Sequence, residues 1–423
     1  MAELMGATAL AQAIALVVAP LLTRLMGPAA YGVFGVYLAA LGVVGAAASW
    51  RSGMAVPLPE DDADAAAVVA AGVLGSIVLT SLAGLIVLLW GGWIARVVLH
   101  TPAIEPLLWL VPVGMLGVGL TDVLSGWCLR YQQFRPLVRI RISRSVGTSI
   151  WQVVVGLLVR GSALGLVTGD VAGRLFSVVE MARMIAREER RRGTKLSRAR
   201  MRAVVWRYRA FALISTPSTL IYAAGLWAPV LLLTLWWGPV AGGLYTIGQR
   251  VIGVPIGLLG DSAGQVYVSE LAARARGSRA TMPQLFSRTA RGLFLVGIPA
   301  ALGMLMLAPL AFRLAFGAQW TEAGVMLQWQ AAALVCQLVA IPLAQTLLVL
   351  RYQRLQFAWD AMRLVLTVIG FAWAHHAGMS AVGSIAVYGG VTAVTYLLLI
   401  ALGWQAVRAR TAESDMVLDP VIR

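Results

Sequence analysis

Arg24, Arg51, Arg174 and Arg250 interrupt stretches that are otherwise nearly free of charge. A guanidinium is planar, always charged and carries donors in a fork, so two of them facing one space suit a phosphate or pyrophosphate. A charge inside an apolar segment is costly and faces protein or a water-filled cavity, which makes each one a candidate site. At about 1.5 Å of rise per helical residue, Arg250 and Arg174 each lie near the middle of their segments. Asp170 stands one turn from Arg174. The competing assignment is internal pairing, Arg174 with Asp170, and Arg250 with an acid such as Asp122 or Asp261.

The remaining charges are more ambiguous. Arg51 reads either as a contact at a cavity mouth or as an anchor at the membrane surface. Arg24 sits at the far end of its segment, where an interfacial anchor is the stronger reading and an exit-side substrate contact the weaker one. Asp122, Asp170, Asp261, Asp360 and Arg363 are candidate gate or coupling charges. All but Asp170 lie close enough to segment ends for snorkelling or a gate ion pair to explain them equally well.

Other chemistries find little support. His375 and His376 are adjacent, so on a helix they point apart, which does not suit a metal. Glu60-Asp61-Asp62-Ala63-Asp64 reads as a solvated helix cap rather than a ligand cluster. Cys128 and Cys336 sit in apolar surroundings and read as small core residues. There is no glycine-rich phosphate loop. The loops on one side are too short to build a glycosyltransferase or polymerase site, the longest holding only Arg96, His100 and Glu105. Neither an enzyme nor a cofactor or metal site is expected.

The elements that must position these charges follow from composition. Of 423 residues, 60% are apolar and 12% charged, against about 25% charged in soluble domains. Apolar runs of bilayer-spanning length recur throughout, giving an all-α polytopic membrane protein of about twelve spans. These are placed near residues 4–26, 31–50, 66–90, 107–129, 144–162, 164–186, 210–235, 240–264, 290–314, 323–350, 357–376 and 381–406. Met1 to Ala19 has no basic n-region and runs directly into the first span, so it does not read as a cleavable signal peptide. The net charge of +16 lies in the connections, which points to membrane lipids rather than nucleic acid as its partner. The longer connections hold most of the 34 lysines and arginines, and the positive-inside rule places that side and both termini in the cytoplasm.

The chain also repeats. A displacement of 211 residues brings Leu21-Leu22-Thr23 onto Leu232-Leu233-Thr234, Gly27-Pro28 onto Gly238-Pro239, and Gly32 onto Gly243. A second block, Leu129-Arg130-Tyr131-Gln132, recurs as Leu350-Arg351-Tyr352-Gln353 at a displacement of 221. Both copies lie six spans apart, which is a parallel repeat. Two six-helix lobes around a central cavity are expected, one over residues 1–187 and the other over 210–406. A basic cytoplasmic linker (188–209) joins them and a cytoplasmic tail (407–423) follows. Gly253 and Gly257, flanking Pro255, are expected to allow close helix approach.

The run LLTRLMGPAAYGVFGVYLAALGVV, followed by RSGMAVPLPEDDADAAAVVAAG, resembles the amino-terminal part of Wzx-type polysaccharide flippases. So does YRAFALISTPSTLIYAAGLWAPVLLLTLWWGPVAGGLYTIGQRVIGVPIGLLGDSAGQVY at the start of the second half. These belong to the multidrug/oligosaccharidyl-lipid/polysaccharide exporter superfamily. The resemblance implies two lobes around a cationic cavity that opens alternately to either side. It implies movement of undecaprenyl-pyrophosphate-linked oligosaccharide to the outer leaflet of the bacterial cytoplasmic membrane, for O-antigen, capsule or exopolysaccharide synthesis. Other polysaccharide-assembly membrane proteins are implied as partners. By position, the cavity arginines of such proteins fall on Arg250 and Arg51. A drug or cation antiporter of the same superfamily is the alternative, and it would favour an acidic pocket lined with aromatic residues.

Overall fold

The computed structural model describes residues 2–98, 101–192, 197–209, 215–277 and 279–418, and among these the chain is helical with no strand. The first helices are α1 (Ala2–Leu25), α2 (Pro28–Gly45), α3 (Ser52–Ala55), α4 (Asp62–Trp93), α5 (Glu105–Leu108), α6 (Leu110–Arg130) and α7 (Phe134–Leu158). They are followed by α8 (Leu164–Arg192), α9 (Arg198–Arg207), α10 (Thr216–Arg276), α11 (Met282–Phe316), α12 (Thr321–Val349), α13 (Gln353–His376) and α14 (Ala381–Leu418). Eight of the described helices are long and apolar enough to cross a membrane, α10 counted once. Helices α7 and α8 are as long, but their arginines and acids break the apolar run.

The expected turns are set by backbone chemistry. The glycines with positive φ are Gly161 (75°), Gly238 (86°), Gly317 (108°) and Gly378 (67°). Each lies in one of the short connections, in a region of backbone space that side chains resist. Gly238 is the non-helical point that divides the 61-residue α10, separating the seventh and eighth expected spans. Gly27 does without the left-handed conformation (φ −74°), because Pro28 at the first helical position starts α2 directly.

Several boundaries differ from those expected. Helix α7 begins at Phe134 rather than 144, so Arg135, Arg139 and Arg141 ride on a helix instead of a loop, and Arg144 lies in its interior rather than at its start. The 188–209 segment is largely helical where described, as α8 runs through Arg192 and α9 follows. Helix α14 continues to Leu418, into the expected tail. Residues 210–214, placed at the start of the seventh span, lie outside the described residues, as do 419–423 of the tail.

The second repeat block is also out of register. Helix α6 closes with Gln133 N–H donating to Cys128 O (2.8 Å) beyond a left-handed Gln132. Helix α12 closes identically, with Tyr352 N–H donating to Leu347 O (2.6 Å) beyond a left-handed Arg351. The equivalent residues are therefore Gln132 and Arg351, two positions away from the pairing that the tetrapeptide match suggested.

The helices group into two compact units, Met1–Thr246 and Ile247–Arg423. In the first, α6 packs on α2, α3, α4 and α8, while α7 lies between α1 and α8. Trp127, Cys128, Leu137, Met181 and Val204 share a buried core. The first part of α10 belongs to this unit because glycines of α2 admit it closely. A Cβ on Gly32 would lie 1.8 Å from Pro239 O, and one on Gly243 would lie 1.8 Å from Pro28 O. Gly32 and Gly243 are repeat equivalents, and so are Pro28 and Pro239, so this contact is reciprocal in the manner of a local two-fold. By contrast, a Cβ at Gly253 or Gly257 meets open space, and no close approach occurs where one was expected.

In the second unit, α12 packs against α11 and α14, around Tyr267, Phe286, Cys336, Leu343 and Trp359. Both units present bare apolar helix faces, among them α4 with Leu74, Val78, Leu82 and Leu85 and α11 with Leu295, Ile298, Leu302 and Leu305. Faces of this kind are stable against lipid rather than water.

Candidate functional site

In the first unit, α8 places Asp170 and Arg174 one turn apart, where an acid and a base meet on one helix face. Arg174 Nε lies 2.6 Å from Asp170 Oδ2. Across the bundle, the Tyr37 hydroxyl of α2 donates to the same oxygen (3.1 Å). Arg144 of α7 approaches the other oxygen, Oδ1, at 3.7 Å. Small residues make room for this convergence. A Cβ on Gly117 would lie 2.8 Å from Arg174 Cβ, one on Gly114 would lie 2.6 Å from the Tyr37 hydroxyl, and one on Gly173 would meet Thr148 Oγ1 and Arg144.

Internal pairing of Arg174 with Asp170 is therefore what the fold provides, and it is only half of the arrangement. Asp170 is buried, at 9% exposure, and a single carboxylate serves two guanidiniums. The cluster keeps one surplus positive charge. Arg144 also lines a cleft of about 870 Å³ between α7 and α8, with Arg139, Ser143, Trp151 and Phe176. Neither Arg144 nor Tyr37 was singled out from the sequence. Arg144 falls at the first position of the fifth expected span, and a tyrosine within an apolar run carries no signal of its own.

The second unit holds Arg250, half-buried on α10. Its neighbour Gln249 is engaged, donating from Nε2 to Gln330 Oε1 (2.9 Å). Arg250 has no hydrogen bond or ion pair with any described residue, so neither acid suggested as its counterion holds it. Asp122 instead accepts from Ser49 Oγ (2.6 Å), and Asp261 is exposed. This leaves Arg250 as a guanidinium with its donors unspent.

The other predicted charges lie elsewhere in the two units. Arg51 is not on a span. It stands in a left-handed turn (φ 59°, ψ 19°) just before α3. Its backbone N–H donates to Ser49 Oγ (3.2 Å) and its Nη2 meets Met54 Sδ (3.0 Å). Arg24 is exposed in the last turn of α1.

Asp360 and Arg363 do not reach towards a surface, being 7% and 6% exposed on α13. Arg363 Nη1 donates to the Tyr396 hydroxyl (3.2 Å) and its guanidinium lies 5.2 Å from the Trp359 ring centroid. Gln356 Nε2 reaches Asp360 Oδ2 at 3.4 Å. Both charges are thus held inside the second unit.

The acidic run at the start of α4 is both a cap and a fastening. Asp61 accepts from Ala63 N–H (3.1 Å), as expected of a cap. Asp62 also holds Arg130 at 2.9 Å and Arg192 at 3.6 Å, Asp61 holds Arg200 at 2.8 Å, and Asp64 holds Arg207 at 3.5 Å. No group of three or more metal-ligating residues occurs among the described residues.

The family model described as polysaccharide biosynthesis protein matches residues 21–325. Sequence comparison with curated proteins gives no match. Among solved structures, the lipid II flippase MurJ in an inward closed conformation is similar with a TM-score of 0.75 at 10% identity, covering 99% of this chain and 92% of that one. An inward-facing multidrug resistance MATE family transporter of the MOP superfamily gives 0.73 at 14% identity, over 95% and 96%. A MOP superfamily transporter from Pyrococcus furiosus, for which a reversed polarity of the binding pocket is reported, gives 0.59 at 13%, over 96% and 94%. At these identities the likeness shows the fold, that of MOP superfamily transporters. With most of its length matched by the family model and its fold shared with these transporters, the chain belongs to the polysaccharide biosynthesis protein family and is a multi-pass membrane protein.

Proposed function

We propose that the protein is a flippase that moves an undecaprenyl-pyrophosphate-linked oligosaccharide from the inner to the outer leaflet of the bacterial cytoplasmic membrane, by alternating access of two six-helix lobes. The observation that carries this reading is Arg250, a half-buried guanidinium within an apolar helix that no described acid neutralises. A pyrophosphate is the dianionic, fork-accepting group that such a donor lacks. The surplus charge of the Arg144–Asp170–Arg174 cluster adds a second cationic locus of the same sign. On this reading both termini are cytoplasmic, and other polysaccharide-assembly membrane proteins supply the substrate and take up the product. A drug or cation antiporter would favour an acidic pocket, and the basic bias of Arg250 and of the Arg144–Asp170–Arg174 cluster argues against it.

The test is reconstitution into proteoliposomes with a fluorescent pyrophosphate-linked glycan, comparing the wild type with Arg250→Ala and Arg24→Ala. A hydrogen-bonded charge contributes about 1.5–3 kcal/mol, so Arg250→Ala should slow transport by roughly tenfold or more. Arg24→Ala should leave it intact. Normal transport by folded Arg250→Ala removes the assigned role, and an inactive wild type removes the flippase reading.

A further inference from the structure

The first unit contains a second concavity, remote in character from the charged cluster. It is an apolar groove of about 500 Å³ walled by α4 and α9. Val68, Leu74 and Val78 come from α4, and Val204 and Val205 from α9. Its lining along α4 runs from Val68 to Val78, which is about 15 Å of helix. That is half of a hydrocarbon core of about 30 Å, or the depth of one leaflet.

Helix α9 is fastened there at both ends of its polar side. Arg200 is 2.8 Å from Asp61, Arg207 is 3.5 Å from Asp64, and Val204 is buried beneath. Not every arginine whose side chain is described on α9 or just beyond it is paired in this way. Arg202 and Arg209 have no acidic partner among the described residues. The Arg209 guanidinium lies 3.8 Å from the Trp206 ring centroid, and both residues belong to the wall of the groove. Tryptophan and arginine side by side are characteristic of the headgroup level of a bilayer.

We propose that this groove is a binding site for an anionic phospholipid of the leaflet on which α9 lies, with one acyl chain between α4 and α9 and the phosphate on Arg209. A zwitterionic lipid would fill the groove equally well but would leave the surplus cations of α9 unmatched, which is what selects the anionic headgroup. The site is independent of the transport reading, since it concerns a resident lipid and not the moved substrate.

Native mass spectrometry of the full-length protein, loaded with phosphatidylglycerol and phosphatidylethanolamine in equal amounts, tests it. The wild type should retain one phosphatidylglycerol in preference to phosphatidylethanolamine. A side chain at Gly75, which lines the groove, meets open space, so Gly75→Phe should fill the groove without disturbing the fold and cut retention at least tenfold. Arg209→Gln should keep a lipid but lose the preference for the anion. Retention by Gly75→Phe equal to wild type overturns the proposal, as does absence of preference in the wild type. Displacement of phosphatidylglycerol by a polyprenyl pyrophosphate probe, blocked by Gly75→Phe, overturns it in favour of a substrate-tail groove.

Discussion

Replacing Asp170 with asparagine removes the carboxylate that Arg144 and Arg174 share. Arg174 loses a partner at 2.6 Å and Arg144 one at 3.7 Å, while the asparagine carbonyl still accepts from Tyr37. Removing one member of a buried ion pair costs about 3–5 kcal/mol, because the remaining charge is left uncompensated. The Arg144 side chain is 30% exposed and that of Arg174 18%, so solvent relieves part of this and the loss should be about 2–4 kcal/mol.

The opposite perturbation makes the reasoning sharp. Arg144→Met removes the surplus cation and leaves Asp170 and Arg174 as a neutral pair, so it should cost less than about 1 kcal/mol. In the double variant Asp170→Asn/Arg144→Met, one orphaned guanidinium is gone, and it should be more stable than Asp170→Asn alone by about 1 kcal/mol or more. Thermal unfolding in detergent, followed by size-exclusion retention after heating, reads all three. Equal stability of Asp170→Asn and wild type, or a double variant that loses the sum of the singles, would refute the shared-carboxylate account. Transport by the well-folded Arg144→Met then asks whether the surplus charge is used. A loss there, with stability kept, would make the α7–α8 cleft part of the substrate path.

Gly32→Ala and Gly243→Ala should each lower the melting temperature by similar amounts, because a Cβ placed 1.8 Å from a carbonyl oxygen must be moved beyond 3.0 Å. Alanine at Gly253 or Gly257, which face open space, should be neutral or stabilising by up to about 1 kcal/mol. Gln132→Gly and Arg351→Gly, at the left-handed ends of α6 and α12, should each raise stability by about 1 kcal/mol, again read as a shift in thermal unfolding.

The turns and most spans were legible in the sequence because apolar runs and glycine-proline breaks report directly on lipid contact and chain reversal. The first repeat was legible for the same reason. Its Gly-Pro turn and following glycine are demanded by a backbone contact in which each copy receives the other. The second repeat block was misleading because Leu-Arg-Tyr-Gln lies at a helix end, where what recurs is a hydrogen-bond pattern and a left-handed residue rather than side-chain identity. Gly253 and Gly257 look like a close-packing pair but have nothing against them, whereas Gly114 and Gly117, three apart on α6, and Gly173 on α8 admit the charged cluster. Spacing alone does not separate these cases, since the packed partner comes from a distant part of the chain.

The start of α7 bears on both orientation and site. A helix start ten residues later leaves Arg135, Arg139 and Arg141 in a basic loop with Arg144 at its edge, and all four then count towards a cytoplasmic side. With α7 beginning at Phe134, Arg135 lies at the helix end and still supports that orientation by the positive-inside rule. Arg144 lies ten residues past Phe134, about 15 Å further along the axis. It needs a counterion, an aqueous cavity or a ligand, and it meets Asp170, which already holds Arg174. The residue that hydropathy places at the edge of a span is therefore the source of the cluster's surplus positive charge, and the stability of Arg144→Met against its transport decides whether that surplus serves the substrate.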